Sequence, residues 1–189
     1  GRSLPLTQLA ANHPARAYMV RRGYDINQLS RFYNIRGMIE APDRWKWMQS
    51  HVLIPIEMRS KLVGWQVRYP DDIDFKAAGI PKYFGLPGMP KRMMLYNYDR
   101  AIMYRTVVVV EGVTGVWVVG SPSVALFGKT VSEQQRRELL RWDNIILMLD
   151  ADDQSAQVKM QEEYERLSRL KPGCVAQVKL PAGTDPGKF

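Results

Sequence analysis

The chain has 189 residues, of which 46% are hydrophobic and 24% are charged, as is typical of a globular protein with one or two domains. Its apolar stretches are too short to cross a bilayer, so no membrane partner is expected. The single cysteine, Cys174, excludes an internal disulfide framework and a zinc site built from several cysteines, and it favours a cytoplasmic protein.

The net charge of +8 is distributed unevenly along the chain. Residues 1–106 hold 17 Lys and Arg against 8 Asp and Glu, whereas residues 107–189 hold 10 against 11. A basic surface beside an acidic metal site suits a polyanion whose phosphates undergo chemistry. Net charge alone is equally compatible with a surface that only keeps the protein in solution.

Residues 1–50 are predicted to be a helical N-terminal segment. A short helix is expected from His13 to Met19, ending near Gly23, and Asp25 is positioned to cap a second helix that continues through Phe32.

Residues 51–105 are predicted to form a basic mixed α/β subdomain. Val52–Ile56 contains Pro55, which indicates an edge or bulged strand, and a second strand is expected over residues 62–68. Residues 70–92 are rich in Pro, Gly and Lys, which is typical of a functional loop. Tyr98–Tyr104 is expected to be a short helix.

Residues 106–189 alternate strands with helices, a pattern that predicts a parallel sheet with right-handed crossovers. The strands are expected near residues 106–110, 123–127, 144–149 and 174–180. A capping box at Thr130 and Glu133 predicts a helix to about Trp142, and another helix begins near Gln154. Residues 116–119 have strand propensity, but the topology requires a helix there. The predicted fold class is therefore α/β, with a four-stranded parallel sheet flanked by helices after an α+β N-terminal part.

Acidic residues follow two of these predicted strands at their C-terminal ends. Glu111 follows residues 106–110, and Asp150 and Asp152 follow residues 144–149. Ligands of parallel sheets lie outside the carboxyl ends of the strands, so these carboxylates are expected to converge. Clustered carboxylates repel one another unless a cation lies between them, and the hard oxygen donors favour Mg²⁺.

A Glu after the first strand and an Asp-x-Asp after the third resemble the Toprim domain, which bacterial-type primases share with topoisomerases and some nucleases. Upstream, Val52–Glu57, Gly64–Arg68, Pro81–Tyr83 and Lys91–Tyr96 occur in the order found in the basic half of bacterial primase catalytic cores. The segment 180–186 resembles the end of the primase Toprim unit. The chain is thus similar to primases, of a phage or mobile-element type, and residues 106–189 correspond to the Toprim domain.

The resemblance implies metal-dependent synthesis of short RNA primers from nucleoside triphosphates on single-stranded DNA. Asp150 and Asp152 would be the principal ligands of Mg²⁺ or Mn²⁺, and Glu111 a further ligand or the group that handles the proton. Asp185 is a weaker candidate ligand.

The same resemblance implies that four upstream residues bind nucleotide or DNA. Arg68, Lys82 and Lys91 match basic positions that face the triphosphate and the template, and Tyr83 could stack on a base or be half-buried in the fold. The run Trp45-Lys46-Trp47 alternates aromatic and basic residues, as single-strand binding surfaces can, although partial core packing is the better explanation of this pattern.

Three departures from the family pattern leave alternatives open. Gly115 and Gly187 stand where the family often has acidic residues, and Asp153 stands where it often has Arg. A Toprim-type nuclease, or a catalytically weak module that binds single-stranded nucleic acid, therefore remain alternatives.

The expected partners are the single-stranded DNA template, nucleoside triphosphates and the RNA primer/DNA hybrid. In a longer protein, a zinc-binding domain and the replicative helicase would join them. The expected location is the cytoplasm, that of the bacterial host if the protein is phage-encoded.

Overall fold

The computed structural model describes residues 1–71, 73–149 and 154–178 of the chain. By contact, the chain divides into two compact units, whereas the sequence predicted three segments. The first unit contains residues 1–56 and 62–89, and the second contains residues 57–61 and the chain from Pro90 onward. Within the described residues, no helix has the length and apolar character needed to cross a membrane.

A five-stranded sheet, in the order β1-β2-β3-β4-β5, dominates the first unit. The β1–β2, β2–β3 and β4–β5 pairs are antiparallel. The strands are β1 (Arg2–Pro5), β2 (Arg36–Glu40), β3 (Val52–Met58), β4 (Lys61–Arg68) and β5 (Tyr83–Gly85), and two helices lie between β1 and β2, namely α1 (Pro14–Arg21) and α2 (Ile26–Tyr33).

The two helices begin where the sequence predicted. The ring nitrogen Nδ1 of His13 accepts a hydrogen bond from the backbone of Ala15 at 3.3 Å and caps α1. Asp25 caps α2 by accepting from the backbone of Asn27 at 2.8 Å. Such caps satisfy N–H groups that have no partner inside a helix.

Strands β1 and β2 were not predicted. The first 50 residues therefore contain two strands of the sheet in addition to the predicted helices. Gly37 in β2 explains how this strand fits beneath α1. A Cβ atom there would lie 2.5 Å from a methyl of Leu9 and 3.2 Å from the Cβ of Ala15. Glycine therefore favours this approach, because any larger residue would push the Leu9 side chain aside and crowd Ala15 of α1.

Pro55 was expected to mark an edge or a bulged strand, and the edge is excluded because β3 lies between β2 and β4, while the bulge stays a prediction. The pairing of β2 with β3 joins Arg36 with Leu53 and Gly37 with Val52, and it ends before Pro55. The missing N–H of proline therefore removes no hydrogen bond of that ladder.

The second unit contains a parallel four-stranded sheet in the order β7-β6-β8-β9, which confirms the predicted fold class. Its strands are β6 (Thr106–Val110), β7 (Ser123–Ala125), β8 (Asn144–Leu147) and β9 (Val175–Gln177). The accompanying helices are α3 (Tyr98–Ala101), α4 (Val113–Val119), α5 (Glu133–Leu139) and α6 (Gln154–Leu170).

Helix α4 confirms that topology overrides local strand propensity at residues 116–119. Val116 and Trp117 are buried, and the indole nitrogen of Trp117 donates to the hydroxyl of Tyr96 at 3.0 Å. A β-rich sequence is stable as a helix here because its apolar side chains are buried as a crossover.

The capping box of α5 lies two residues later than predicted. Ser132, not Thr130, caps the helix, and its side chain accepts from the backbone of Gln135 at 3.1 Å. The side chain of Gln135 in turn accepts from the backbone of Ser132 at 3.0 Å. The pattern Ser-x-x-Gln satisfies the same rule as the predicted Thr-x-x-Glu.

Helices α5 and α6 are joined by a bidentate salt bridge. The Nε and NH2 groups of Arg136 donate to the two carboxylate oxygens of Glu163 at 2.6 and 2.7 Å. The side chains are only 15% and 7% exposed. Because α6 follows the Asp-x-Asp segment in sequence, this pair fixes the helix that leads away from the predicted metal ligands.

We expect Arg136→Met to destabilise the protein by about 3–5 kcal/mol, because it leaves the Glu163 carboxylate buried without a counter-charge. Urea unfolding measures this loss. The control is Arg137→Met, which removes an exposed pair with Glu133 and should cost less than about 1 kcal/mol. Equal unfolding free energies for the two variants would contradict the structural role of the buried pair.

Candidate functional site

Glu111 lies directly after β6, on a partly exposed turn before α4. Strand β6 pairs in parallel with β8, with Val109 opposite Leu147, so the carboxyl ends of the two strands lie side by side. The backbone N–H of Met148 continues this pairing by donating to the carbonyl of Val109 at 2.8 Å. The chain therefore leaves β8 next to the strand that ends at Glu111.

The other predicted metal ligands, Asp150, Asp152 and Asp185, lie outside the described residues, so the metal site stays a prediction. Within residues 1–71, 73–149 and 154–178, no group of three His, Cys, Asp or Glu side chains could hold a metal ion. The donor chemistry nevertheless fits the predicted cation, because every predicted ligand is a carboxylate and Mg²⁺ and Mn²⁺ prefer oxygen donors.

Arg68, at the end of β4, is a buried cation with only 3% of its surface exposed. Its Nε donates to the hydroxyl of Tyr18 at 2.6 Å, and its NH2 group donates to the same oxygen. Its guanidinium carbon lies 5.1 Å from the centre of the Tyr18 ring and 4.9 Å from that of Tyr83. Two tyrosines, one from α1 and one from β5, thus hold the guanidinium in place.

Within the described part of the chain, Arg68 makes no ion pair, and its buried NH1 group has no hydrogen-bond partner. Burying an unpaired charge is costly, and an anion that reached the NH1 group would reduce this cost. The buried guanidinium, unpaired among the described residues, is consistent with the phosphate contact predicted for Arg68, which stays a prediction.

Tyr24 and Arg22 belong to the same cluster. Burial raises the pKa of Tyr24, and Tyr83 raises it further, while the positive charge of Arg22 opposes the shift. The sequence did not identify Tyr18 or Tyr24 as site residues. The nearest signal was the pair of predicted helices over residues 13–32, which carry Tyr18 and lie next to Tyr24.

The predicted residues Lys82 and Tyr83 adjoin Arg68 through the sheet. Tyr83 pairs with Arg68 across β4 and β5, and Lys82 precedes it with an exposed side chain. The structure thus brings three of the four predicted nucleotide-binding residues together in the first unit. The role assigned to each of them stays a prediction.

Lys91, the fourth, lies in the second unit, in the 3-10 turn Lys91–Met93. Its side chain is exposed, while its backbone is held by α5. The buried amide nitrogen of Gln135 donates to the carbonyls of Lys91, Met94 and Leu126 at 3.1, 2.8 and 2.9 Å. The hydroxyl of Ser132 donates to the carbonyl of Arg92. The capping box therefore also fixes the turn that carries Lys91.

No protein-family model and no curated protein matches this chain. Among solved structures, it is similar to a DnaG catalytic core with a TM-score of 0.76 and 20% identity, covering 97% of this chain and 70% of that one. The chain has the fold of a primase catalytic core. The primase catalytic core of E. coli gives a TM-score of 0.76 with 20% identity, covering 95% and 69% of the two chains.

Two further primase structures have the same fold. The RNA polymerase domain of Mycobacterium tuberculosis DnaG gives a TM-score of 0.68 with 22% identity, covering 97% of this chain and 73% of that one. A DnaG primase catalytic domain bound to single-stranded DNA gives 0.76 with 19% identity, covering 96% and 68%. The likeness to primase cores therefore extends over both units of the chain.

We expect Tyr18→Phe to destabilise the protein by about 1–3 kcal/mol, because it removes the acceptor for two hydrogen bonds from a buried guanidinium and keeps the ring. Urea unfolding provides the measurement. Tyr104→Phe is the matched control, since that side chain is 47% exposed. If both variants unfold at the same urea concentration, the hydroxyl of Tyr18 does not stabilise Arg68.

Gln135→Met should destabilise the protein by a similar free energy, about 1–3 kcal/mol, because it removes the buried amide that donates to three backbone carbonyls. It should also speed amide hydrogen exchange in residues 91–94, which mass spectrometry can follow. Gln134→Met, at an exposed position of the same helix, is the control. Unchanged exchange in residues 91–94 would show that the amide does not hold this turn.

Proposed function

We propose that this chain is the RNA-polymerase core of a DNA primase, a nucleotidyltransferase that makes short RNA primers on single-stranded DNA during replication. The observation that carries the proposal is the likeness in fold to primase catalytic cores over 97% of the chain. It is supported by Glu111 and the Asp150/Asp152 pair, which follow two adjacent parallel strands.

In this proposal the carboxylates hold one or more divalent cations. Asp150 and Asp152 are the principal ligands, and Asp185 is an additional ligand. When bound, Mg²⁺ or Mn²⁺ supplies positive charge that favours ionisation of the attacking hydroxyl and departure of pyrophosphate. Glu111 serves as a further ligand or accepts the proton of the primer 3′-hydroxyl as that oxygen attacks the α-phosphate.

The basic residues bind the polyanionic substrates. Arg68 is the strongest candidate for a phosphate contact, because the NH1 group of its buried guanidinium has no partner among the residues that the structure describes. Lys82 and Lys91 are exposed and can neutralise phosphates of the triphosphate or the template. In this proposal the half-buried Tyr83 orients Arg68, and stacking on a base stays the alternative role.

Nucleic-acid partners are consistent with the related structures. One similar primase domain is bound to single-stranded DNA, and the M. tuberculosis domain is in complex with double-stranded DNA. The proposed partners of this chain are the template, nucleoside triphosphates and the primer/DNA hybrid. A zinc-binding domain and the replicative helicase would act with it in a longer protein, in the cytoplasm.

The decisive experiment is primer synthesis on mixed-sequence single-stranded DNA with four ribonucleotides and Mg²⁺ or Mn²⁺. We expect metal-dependent oligonucleotides from the wild type and at least about 100-fold less from Asp150→Ala or Asp152→Ala, because charge stabilisation at the reacting phosphate is lost. Asp143→Ala, which removes an exposed acid paired with Arg105, should retain full activity and serves as the control.

Other outcomes would favour the alternatives. Wild-type yield from Asp150→Ala would contradict the metal assignment. Metal-dependent cutting of single-stranded DNA without added triphosphates would identify a Toprim-type nuclease. Tight DNA binding with neither activity, even when a primase zinc-binding domain is added, would identify a binding module.

A further inference from the structure

The first unit presents a continuous group of aromatic rings, here called the aromatic surface. Its members are Trp45, Trp47, Trp65, Tyr69, Phe75 and Phe84, which come from the 3-10 segment Asp43–Met48, from β4 and the chain after it, and from β5. None of them is buried, and Trp47 is the most accessible with 39% of its surface exposed.

Ring contacts fix the orientation of the aromatic surface. Trp47 lies 5.0 Å from Phe84 edge-to-face and 5.9 Å from Tyr69 in a stacked arrangement, measured between ring centres. The buried ring of His51 supports both Trp47 and Tyr69, at 5.5 and 4.3 Å. Edge and stacked contacts among neighbours hold the rings in defined positions, so that binding a flat partner would need little ordering.

Six aromatic rings that contact one another and all keep some exposure form a candidate binding surface, and the neighbouring charges indicate which kind of partner it fits. Four exposed cations lie within two residues of these rings in sequence, namely Arg44, Lys46, Lys76 and Lys82. The guanidinium of Arg44 lies 5.2 Å from the centre of the Trp45 ring. Of the acids nearby, Asp74 accepts hydrogen bonds from the backbone of Lys76 and Ala77, while Asp43 and Asp71 are exposed.

Aromatic faces bordered by cations match a single-stranded nucleic acid better than other partners. Unpaired bases offer flat faces that stack on the rings, and the phosphates between them meet the cations. A duplex keeps its base faces stacked inside, so it could use only the cations.

We propose that the aromatic surface is a stacking platform for unpaired bases of single-stranded DNA, with Trp47 as its principal contact and Arg44, Lys46 and Lys82 neutralising the phosphates. Only the description of this strand as the template rests on the proposed primase function. The binding itself follows from the rings and charges of the first unit.

The test measures binding of a fluorescein-labelled, unstructured single strand and of a matched duplex by anisotropy, without nucleotides or divalent metal. Trp47→Ala should weaken single-strand binding about tenfold and leave duplex binding unchanged, because only unpaired bases stack on the ring. Trp47→Phe should recover much of the affinity. The salt dependence of the single-strand affinity should be the same for Trp47→Ala and the wild type, since the indole carries no charge.

The matched control is Phe32→Ala, which removes another exposed aromatic side chain next to an arginine, outside the aromatic surface. It should bind single strands like the wild type. As a measurement that needs no variant, single-stranded DNA should quench the tryptophan fluorescence of the wild type more strongly than the duplex does.

Wild-type affinity of Trp47→Ala for single strands, an equal loss on duplex, or a reduced salt dependence would each overturn the proposal. So would equal quenching by single strands and duplex. Because the assay contains no triphosphates, its failure would leave the proposed primase activity intact, and absent primer synthesis would not affect this result.

Discussion

The parallel pairing of β6 with β8 is the constraint on which the proposed chemistry depends. It aligns Val109 with Leu147 and thereby sets the two strand ends from which Glu111 and the Asp-x-Asp segment continue. Parallel neighbours end at the same edge of a sheet, whereas an antiparallel pair would place these carboxylates at opposite edges. The convergence of these acids, and the divalent cation that would relieve their repulsion, stay predictions that this pairing of strands supports.

The first unit contains a buried positive charge, whereas the second unit is predicted to contain a cluster of negative charges. Arg68 is almost fully buried, and its neighbours are tyrosines instead of carboxylates in the part of the chain that the structure describes. A carboxylate would neutralise the guanidinium permanently, whereas tyrosine hydroxyls and rings stabilise it and leave its full charge available. Such an arrangement would suit the anionic ligand predicted for Arg68, a role that stays a prediction.

The sequence predicted the second unit well because its strands are uniformly apolar and alternate with helices. Even the helix over residues 116–119 followed from the topology. The sequence did not predict β1 and β2, because these short segments show no clear alternation of apolar and polar residues. Their packing depends on the contact of Gly37 with α1. Arg68 was predicted from the family resemblance, but its contact with Tyr18 spans 50 residues of sequence and only the folded chain shows it. The roles of Asp150 and Asp152 stay predictions.

The contacts of Gln135 restrict what evolution can place at this position. One amide nitrogen serves three carbonyls while the amide oxygen accepts from the backbone of Ser132, so both ends of the side chain are in use. Glutamate, which usually fills this place in a capping box, has the right length but would turn a carboxylate toward three carbonyl oxygens. Asparagine is one methylene shorter. Homologues that keep the turn at residues 91–94 should therefore retain glutamine here, although a generic helix start would accept either residue.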